Sequence, residues 1–558
     1  PWLDLARYSD TNGYEKDLRR EMWAWRDWVI AALNRDMPYD RFVLEQVAGD
    51  LLPEATQDQV IATGFLRNSM LNEEGAIIAE EFRMVEMFDR MDCLGKAVLG
   101  LTTQCAQCHT HKFDPLTQAE YYGMFAFLNN SFETRSNVYD APGLAALGEL
   151  QRELAAADER VRRTRPEWAA EMAAWERRLV PTFVAWSPVT MLEMSSSGLL
   201  SHPVQLDDKS ILLLGHRDKT IIFESAPELA GATGLQLEAL NHGDLFLGGP
   251  GRDGPWSIAE LKVEIRRPDA AAWEPVKLAG ATADWSRPEE EWKNPAAARG
   301  KDPVTHFSAG PVAKLIDGDA KTGWFPDRGP LLRHQPSVAV VQFEKPLDAP
   351  AGTRLRVSVE NSQGPALPGN FNSDRAQVIG CLRISLTTAP RPAAPPVAHG
   401  AVLAMRKSAE QRTADDQAAI FAAWRLSVPE LAGLNAEIDE LAKRVPKPLT
   451  TVFHLAERPA GTARPTFLLD RGAWNQPTER VAAHVPAAFH PFPGDAPRNR
   501  LGFARWLVAR ESPLTARVAV NRIWQGLFGE GLVETPDDLG TRAPVPEHRE
   551  LLDWLAVD

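Results

Sequence analysis

Cysteine is scarce in this sequence: four residues in 558, at Cys93, Cys105, Cys108 and Cys381. That excludes a disulfide framework as the source of stability. Long apolar runs are missing too. No segment reaches the roughly 18 apolar residues that a membrane-crossing helix needs, so no membrane span is expected in this chain. Nor is there an excess of basic charge. Sixty-one Lys and Arg against 75 Asp and Glu leave a net charge of −14, which argues against a nucleic-acid partner. No signal peptide is visible, but the chain starts Pro1-Trp2-Leu3 and stops just after Leu551-Leu552-Asp553-Trp554-Leu555. Both ends read as cut, so targeting information is expected outside this stretch.

The composition is that of a soluble globular protein, 44% hydrophobic and 24% charged. The length implies roughly two to four domains. Residues 1–135 read as mainly helical. Trp25, Trp28, Val29, Ala32 and Leu33 repeat at helical spacing, and so do Met84, Met87, Phe88, Met91, Leu94 and Val98. After a break at Asp114-Pro115, Thr117 and Glu120 have capping-box spacing ahead of another helix.

A long charged helix is expected over 143–180, with Leu147, Leu150, Leu154, Ala157 and Val161 as its seam. The same steps return in Leu431, Leu434, Ile438, Leu441 and Val445, predicting a partner helix within 404–446 and an antiparallel helical-pair stalk. Between them, over 183–395, short alternating runs replace helical periodicity: Leu261, Val263, Ile265; Leu355, Val357, Val359; Leu382, Ile384, Leu386. With Gly and Pro clusters between them, these predict an inserted antiparallel β-sandwich. A Pro-rich stretch at 389–398 reads as a stiff linker. Residues 447–558 open a further, mainly helical region. The predicted class is therefore α+β and multidomain.

The chemistry sits at Cys105-Ala106-Gln107-Cys108-His109. Two thiols at this spacing can each add to one vinyl group of a haem, and the histidine that follows is placed under the iron. Chance would produce the pattern in a chain of this composition on the order of once in a thousand. The expected cofactor is thus covalent haem c, bound by Cys105, Cys108 and His109, with His109 as axial ligand. Three other readings of these residues stay open. Cys105, Cys108, His109 and His111 could hold zinc, although four ligands within seven residues strain a tetrahedron. A thioredoxin-like redox pair would want a strand before the motif, where a helix is expected. The cysteines could also be buried and inert. The sixth iron ligand is not identified; Met84, Met87 and Met91, on one helical face, and Met124 are candidates, with core packing as the plainer role. His111 and Arg83 are secondary candidates near the haem, with Arg83 and Arg7 able to pair with propionates or with acidic neighbours.

Longer motifs surround this one. Trp2-Leu3-Asp4-Leu5-Ala6-Arg7-Tyr8, Asn12-Gly13-Tyr14-Glu15, Pro38-Tyr39-Asp40-Arg41-Phe42, Asn72-Glu73-Glu74-Gly75 and His111-Lys112-Phe113-Asp114-Pro115 lie in the first part. Arg498-Asn499-Arg500-Leu501, Thr515-Ala516-Arg517-Val518, Asn521-Arg522-Ile523-Trp524 and Gly531-Leu532-Val533-Glu534-Thr535-Pro536 lie in the last. Together they resemble the large cytochrome-c-like proteins of planctomycetes, in which a haem-bearing domain of unknown function is joined to a C-terminal partner domain. The resemblance covers both helical ends, about half the chain, with both domains truncated. It implies an exported, periplasmic, haem-bearing protein with a redox partner, and no settled reaction.

Two acidic groups, Asp10, Asn12, Glu15 and Asp17, and Glu73, Glu74, Glu80 and Glu81, are weighed as acid–base groups near a haem, with solvated helix ends and caps favoured; the first departs from a calcium loop. The sandwich resembles carbohydrate-binding modules at Asp317-Gly318-Asp319 and Thr322-Gly323-Trp324. Asp317, Asp319 and Trp324 are therefore candidate glycan contacts, with Trp256, Trp285 and Trp292 as further platforms. Two functions follow as expectations. One is an exported haem protein with a redox role, either electron transfer or haem-dependent oxidation of a polysaccharide-derived substrate. The other is a non-catalytic glycan-binding or surface-assembly protein with a structural haem or zinc site.

Overall fold

The computed structural model describes residues 1–226, 230–293, 306–362 and 378–557. The chain divides into two compact units, Pro1–Val138 with Thr450–Asp558, and Tyr139–Leu449. The two ends of the sequence thus form one unit, and everything between them forms the other.

The first unit is built on helices that follow the predicted periodicities. Trp23–Asn34 buries Trp25, Trp28, Val29 and Ala32. Tyr39–Ala48 follows the Pro38 turn. Ala79–Leu94 buries Met84, Met87, Phe88, Met91 and Leu94, then continues as a short π-helical turn over Gly95–Leu99. The capping box at Thr117 and Glu120 forms, and starts Gln118–Asn129. Residues of Arg500–Leu507, from the far end of the chain, join the same core: Phe503 stacks on Phe127, with ring centroids 4.9 Å apart.

A two-stranded ribbon inside this unit was not expected. Ser131–Val138 pairs antiparallel with Thr450–Glu457, from Ser131 opposite Glu457 to Val138 opposite Thr450. In chain connectivity it is a hairpin whose turn has been replaced by the whole second unit. Buried His454 fastens it: Nδ1–H donates to the Leu455 carbonyl at 3.0 Å and Nε2 accepts from the Ser136 hydroxyl at 2.7 Å. A second ribbon, Thr466–Leu469 with Pro477–Val481, also lies outside the helical expectation for this region.

In the second unit the predicted long helix is two. Ala141–Thr164 stops at Arg165, whose backbone turns extended ahead of Pro166, and Trp168–Leu179 follows. The ring of Pro166 disfavours a helical residue before it and removes a donor, which is why one run cannot continue. The returning segment is divided likewise, into His399–Met405, Ala414–Leu426 and Ala432–Ala442. The antiparallel pairing itself is present: Arg160 pairs with Glu437 and Arg444 with Glu153, so positions rise on one strand of the stalk as they fall on the other.

The three predicted alternating runs are central strands of the sandwich. Ile258–Arg266 and Arg354–Asn361 lie side by side in one sheet, with Val263 opposite Val357. Cys381–Thr387 lies in the other, beside Gly234–Ala239. Inward residues of both sheets share one apolar core. Among the described residues the pairing is antiparallel except for His306–Gly310 beside Thr322–Trp324.

At the exit from the sandwich, buried Glu238 accepts from Arg383 and from Nε2 of His399 at 2.9 Å. Burial alone would raise this carboxyl, but His399 and Arg383 outweigh it and hold it at about 2. Its folded value lies below its unfolded one, so its stabilisation is present above the unfolded value and is lost as pH falls from about 4.5 towards 2. The full contribution is about 3 kcal/mol. Glu238→Gln is therefore expected to destabilise this unit at pH 7 and to cost little at pH 2 and below, in denaturant unfolding at the two pH values.

Candidate functional site

The Cys105–His109 segment lies where four parts of the first unit meet. The π-helical turn delivers the chain to a 3-10 turn over Thr103–Gln107. The Thr103 hydroxyl donates to the Met91 carbonyl at 3.2 Å, tying this turn to the helix before it. The Gln107 carbonyl accepts from Nε2 of Gln118 and from the Tyr122 hydroxyl, both at 3.0 Å. From the second ribbon, Gly472 packs against the motif with φ +72°; a Cβ there would stand 3.0 Å from Sγ of Cys108. Only glycine suits that backbone and that approach.

The four cysteines separate cleanly. Cys105 and Cys108 are exposed, while Cys93 and Cys381 are buried. Burial pushes the Cys93 thiol up to about 12, and does the same to Cys381. These two are inert, and the motif pair is open to chemistry.

The two histidines separate by tautomer. His109 is exposed, and its Nδ1 faces the Thr110 carbonyl at 2.7 Å. A carbonyl only accepts, so Nδ1 carries the hydrogen and Nε2 keeps its lone pair. That is the state of an imidazole prepared to bind a metal. His111 is buried, and its Nδ1 accepts from the Asp114 amide at 2.8 Å and the Phe113 amide at 3.4 Å. Its hydrogen therefore sits on Nε2, the opposite arrangement. His111 closes its own loop and is not poised as a ligand. Among the described residues, no three His, Cys, Asp or Glu side chains are grouped to hold a metal ion.

The remaining candidates are engaged elsewhere. Arg83 pairs with Glu80 at 2.6 Å and donates to Asn129 at 2.9 Å. Arg7 pairs with Asp89 and Asp92. Met84, Met87, Met91 and Met124 are core residues. The sulfurs of Met84 and Met87 face Arg83 and Arg90 at 3.2 and 3.3 Å. The acidic groups staple two loops: Asn12 donates to Glu73, the Lys16 amide to Glu74 and the Gly13 amide to Asp17.

The glycan candidates change most. Trp324 is fully buried, with Nε1–H on the Trp285 carbonyl, and stands edge-on to buried Trp256. An indole inside the core cannot serve as a sugar platform, so Trp324 and Trp256 are corrected to core residues. Asp317 accepts from the Asp319 amide and the Thr322 hydroxyl, and Asp319 from the Lys321 amide, so both close their own turn. Trp285 is exposed beneath Arg328; the Trp292 side chain lies outside the described residues.

Sequence reading missed a buried ion quartet. Arg67 and Arg90 each contact both Glu86 and Glu133, at 2.7–2.9 Å. Burial would raise Glu133, but Arg90 and Arg67 hold it well below the usual carboxylate range. Burial and the charge of Glu133 push Glu86 up. Glu86 offers one oxygen to both guanidinium groups, whereas Glu133 offers one to each.

Sequence reading also missed the contribution of the C-terminal end. Leu539 N–H donates to the Gly100 carbonyl at 2.7 Å, and the Thr541 amide donates to Asp114 at 2.7 Å. Arg522 donates to the Lys96 carbonyl at 2.8 Å. Residues 499–558 thus hold down the loop that carries the motif.

The same two ends are the parts that match known families. Residues 1–133 match PSCyt2, a protein of unknown function (DUF1549). Residues 499–558 match PSD1, a protein of unknown function (DUF1553). Both are families of planctomycete-type cytochrome-c-like proteins. No curated protein and no solved structure matches the chain. The PSCyt2-matching segment contains the whole motif, and the PSD1-matching segment packs onto it. Among the described residues, no helix is long and apolar enough to cross a membrane.

Proposed function

We propose that this chain is an exported, periplasmic c-type cytochrome-like protein with a redox role. Cys105 and Cys108 would hold its haem through thioether bonds, and His109 would bind the iron. The observation that carries the reading is the pair of opposite tautomers: Nε2 of His109 is free to bind iron beside two exposed thiols, while Nδ1 of His111 is spent on its own loop. The residues present suit the group. A haem bound here supplies a one-electron iron couple. The protein's part is to hold the attachment turn rigid through Gln118, Tyr122 and Thr103, and to keep His109 in the binding tautomer through the Thr110 carbonyl. Exposure of the motif supports exchange of electrons with a partner protein at this surface. Export and the periplasmic setting rest on the family resemblance. The zinc alternative would need His111, whose Nδ1 is already taken up by the amides of its own loop.

The test is the haem content of the chain produced in a periplasm equipped for haem attachment. About one haem per chain should resist acid extraction and give a c-type spectrum in alkaline pyridine. Colour that extracts, or a chain without iron, overturns the reading.

A further inference from the structure

Beside the motif, Phe113 is half exposed. Two cations stand over its ring: Nζ of Lys112 at 5.2 Å and the guanidinium of Arg542 at 5.1 Å from the centroid. Both side chains are exposed, and among the described residues neither forms an ion pair with a carboxylate. Elsewhere in the first unit, guanidinium groups on or near the helix Ala79–Leu94 are taken up by acids, as at Arg7, Arg67, Arg83 and Arg90. Two unneutralised cations around an apolar ring are notable in a chain of net charge −14.

Arg542 is brought there by a built contact. The Thr541 amide and hydroxyl both donate to one oxygen of buried Asp114, at 2.7 and 3.0 Å. Gly540 permits the approach, since a Cβ there would stand 2.4 Å from that oxygen. The next residue is thereby fixed over Phe113. The arrangement suits a ligand with a flat apolar body and carboxylates at its edge, which aromatic contact and guanidinium pairing recognise together.

We propose that Lys112 and Arg542 are the counter-ions of a haem propionate and that the C-terminal segment completes the cofactor site. This rests on the haem reading above. The propionates leave the macrocycle from the edge opposite the thioether links, so their partners must come from outside the five-residue motif. Arg542 is a positioning residue whose charge also biases the iron towards its reduced state.

The test compares full chains carrying haem. Lys112→Gln with Arg542→Gln should keep the covalent haem content of the parent, since the thioether links form at Cys105 and Cys108 and not at these two residues. Its reduction midpoint should fall, because loss of positive charge favours ferric iron. The propionate ionisation seen in the midpoint-against-pH profile should move up by roughly one pH unit as its counter-ions are lost. Arg542→Lys should restore most of the profile. Thr541→Val, which only loosens the clamp, should lower thermal stability more than Arg542→Gln does. A double variant with full haem content and an unchanged midpoint and pH profile overturns the proposal. A parent chain without covalent haem overturns it together with the haem reading, and haem content distinguishes the two failures.

Discussion

With the proposed haem attached, His109→Ala is expected to abolish the iron spectrum and reduction midpoint of the parent while leaving both thioether links in place; His111→Ala is expected to keep the spectrum, the midpoint and the links. The two histidines are two residues apart and equivalent in composition, so the contrast isolates hydrogen bonding. Removing His109 takes away the nitrogen whose lone pair the Thr110 carbonyl leaves free. Removing His111 leaves the Asp114 amide, which is buried, and the Phe113 amide, which is part-buried, without this acceptor. That should lower stability by about 1–3 kcal/mol, the usual cost of an orphaned buried donor. Absorption spectra and thermal unfolding of the two variants make the comparison. Loss of the iron spectrum in His111→Ala, with its retention in His109→Ala, would reverse the assignment.

The second large effect is expected at Arg500. This guanidinium is fully buried and joins three stretches of chain. It pairs with both oxygens of Asp50 at 3.0 and 2.6 Å, with Glu457 at 3.2 Å, and donates to the Val47 carbonyl at 3.1 Å. Arg500→Met would leave Asp50 and Glu457, both largely buried, without this cation, which typically costs about 3–5 kcal/mol. Arg500→Lys keeps the charge but cannot reproduce the forked contact, and should fall between. Denaturant unfolding reads both. A loss below about 1 kcal/mol in Arg500→Met would show that the pairing of the two chain ends does not depend on this residue.

Much of this was legible locally. The helical stripes at Trp25–Ala32 and Met84–Leu94, the capping box at Thr117 and the alternating strand runs each depend on neighbours within a few residues, so spacing alone exposes them. The ribbon of Ser131–Val138 with Thr450–Glu457 was not legible, because its polar sequence gives no strong alternation and its partners, such as Ser136 and His454, lie 318 residues apart. Trp324 misled for a related reason. An indole in a Gly- and Asp-rich loop has the composition of a sugar site, and only packing against Trp256 reveals a core residue.

The Cys105–His109 motif illustrates the division. The choice of Cys105, Cys108 and His109 as the proposed attachment site rests on the sequence itself, because reactive groups at short fixed spacing need no knowledge of the fold. What the tertiary structure decided is which groups around them are free. It buried Cys93, turned His111 inward onto Asp114, engaged Arg83 with Glu80, and brought Arg542 and Gly472 from distant parts of the chain to the motif. Hydrogen-bond direction and burial are properties of three-dimensional neighbours, and a linear pattern records only neighbours along the chain.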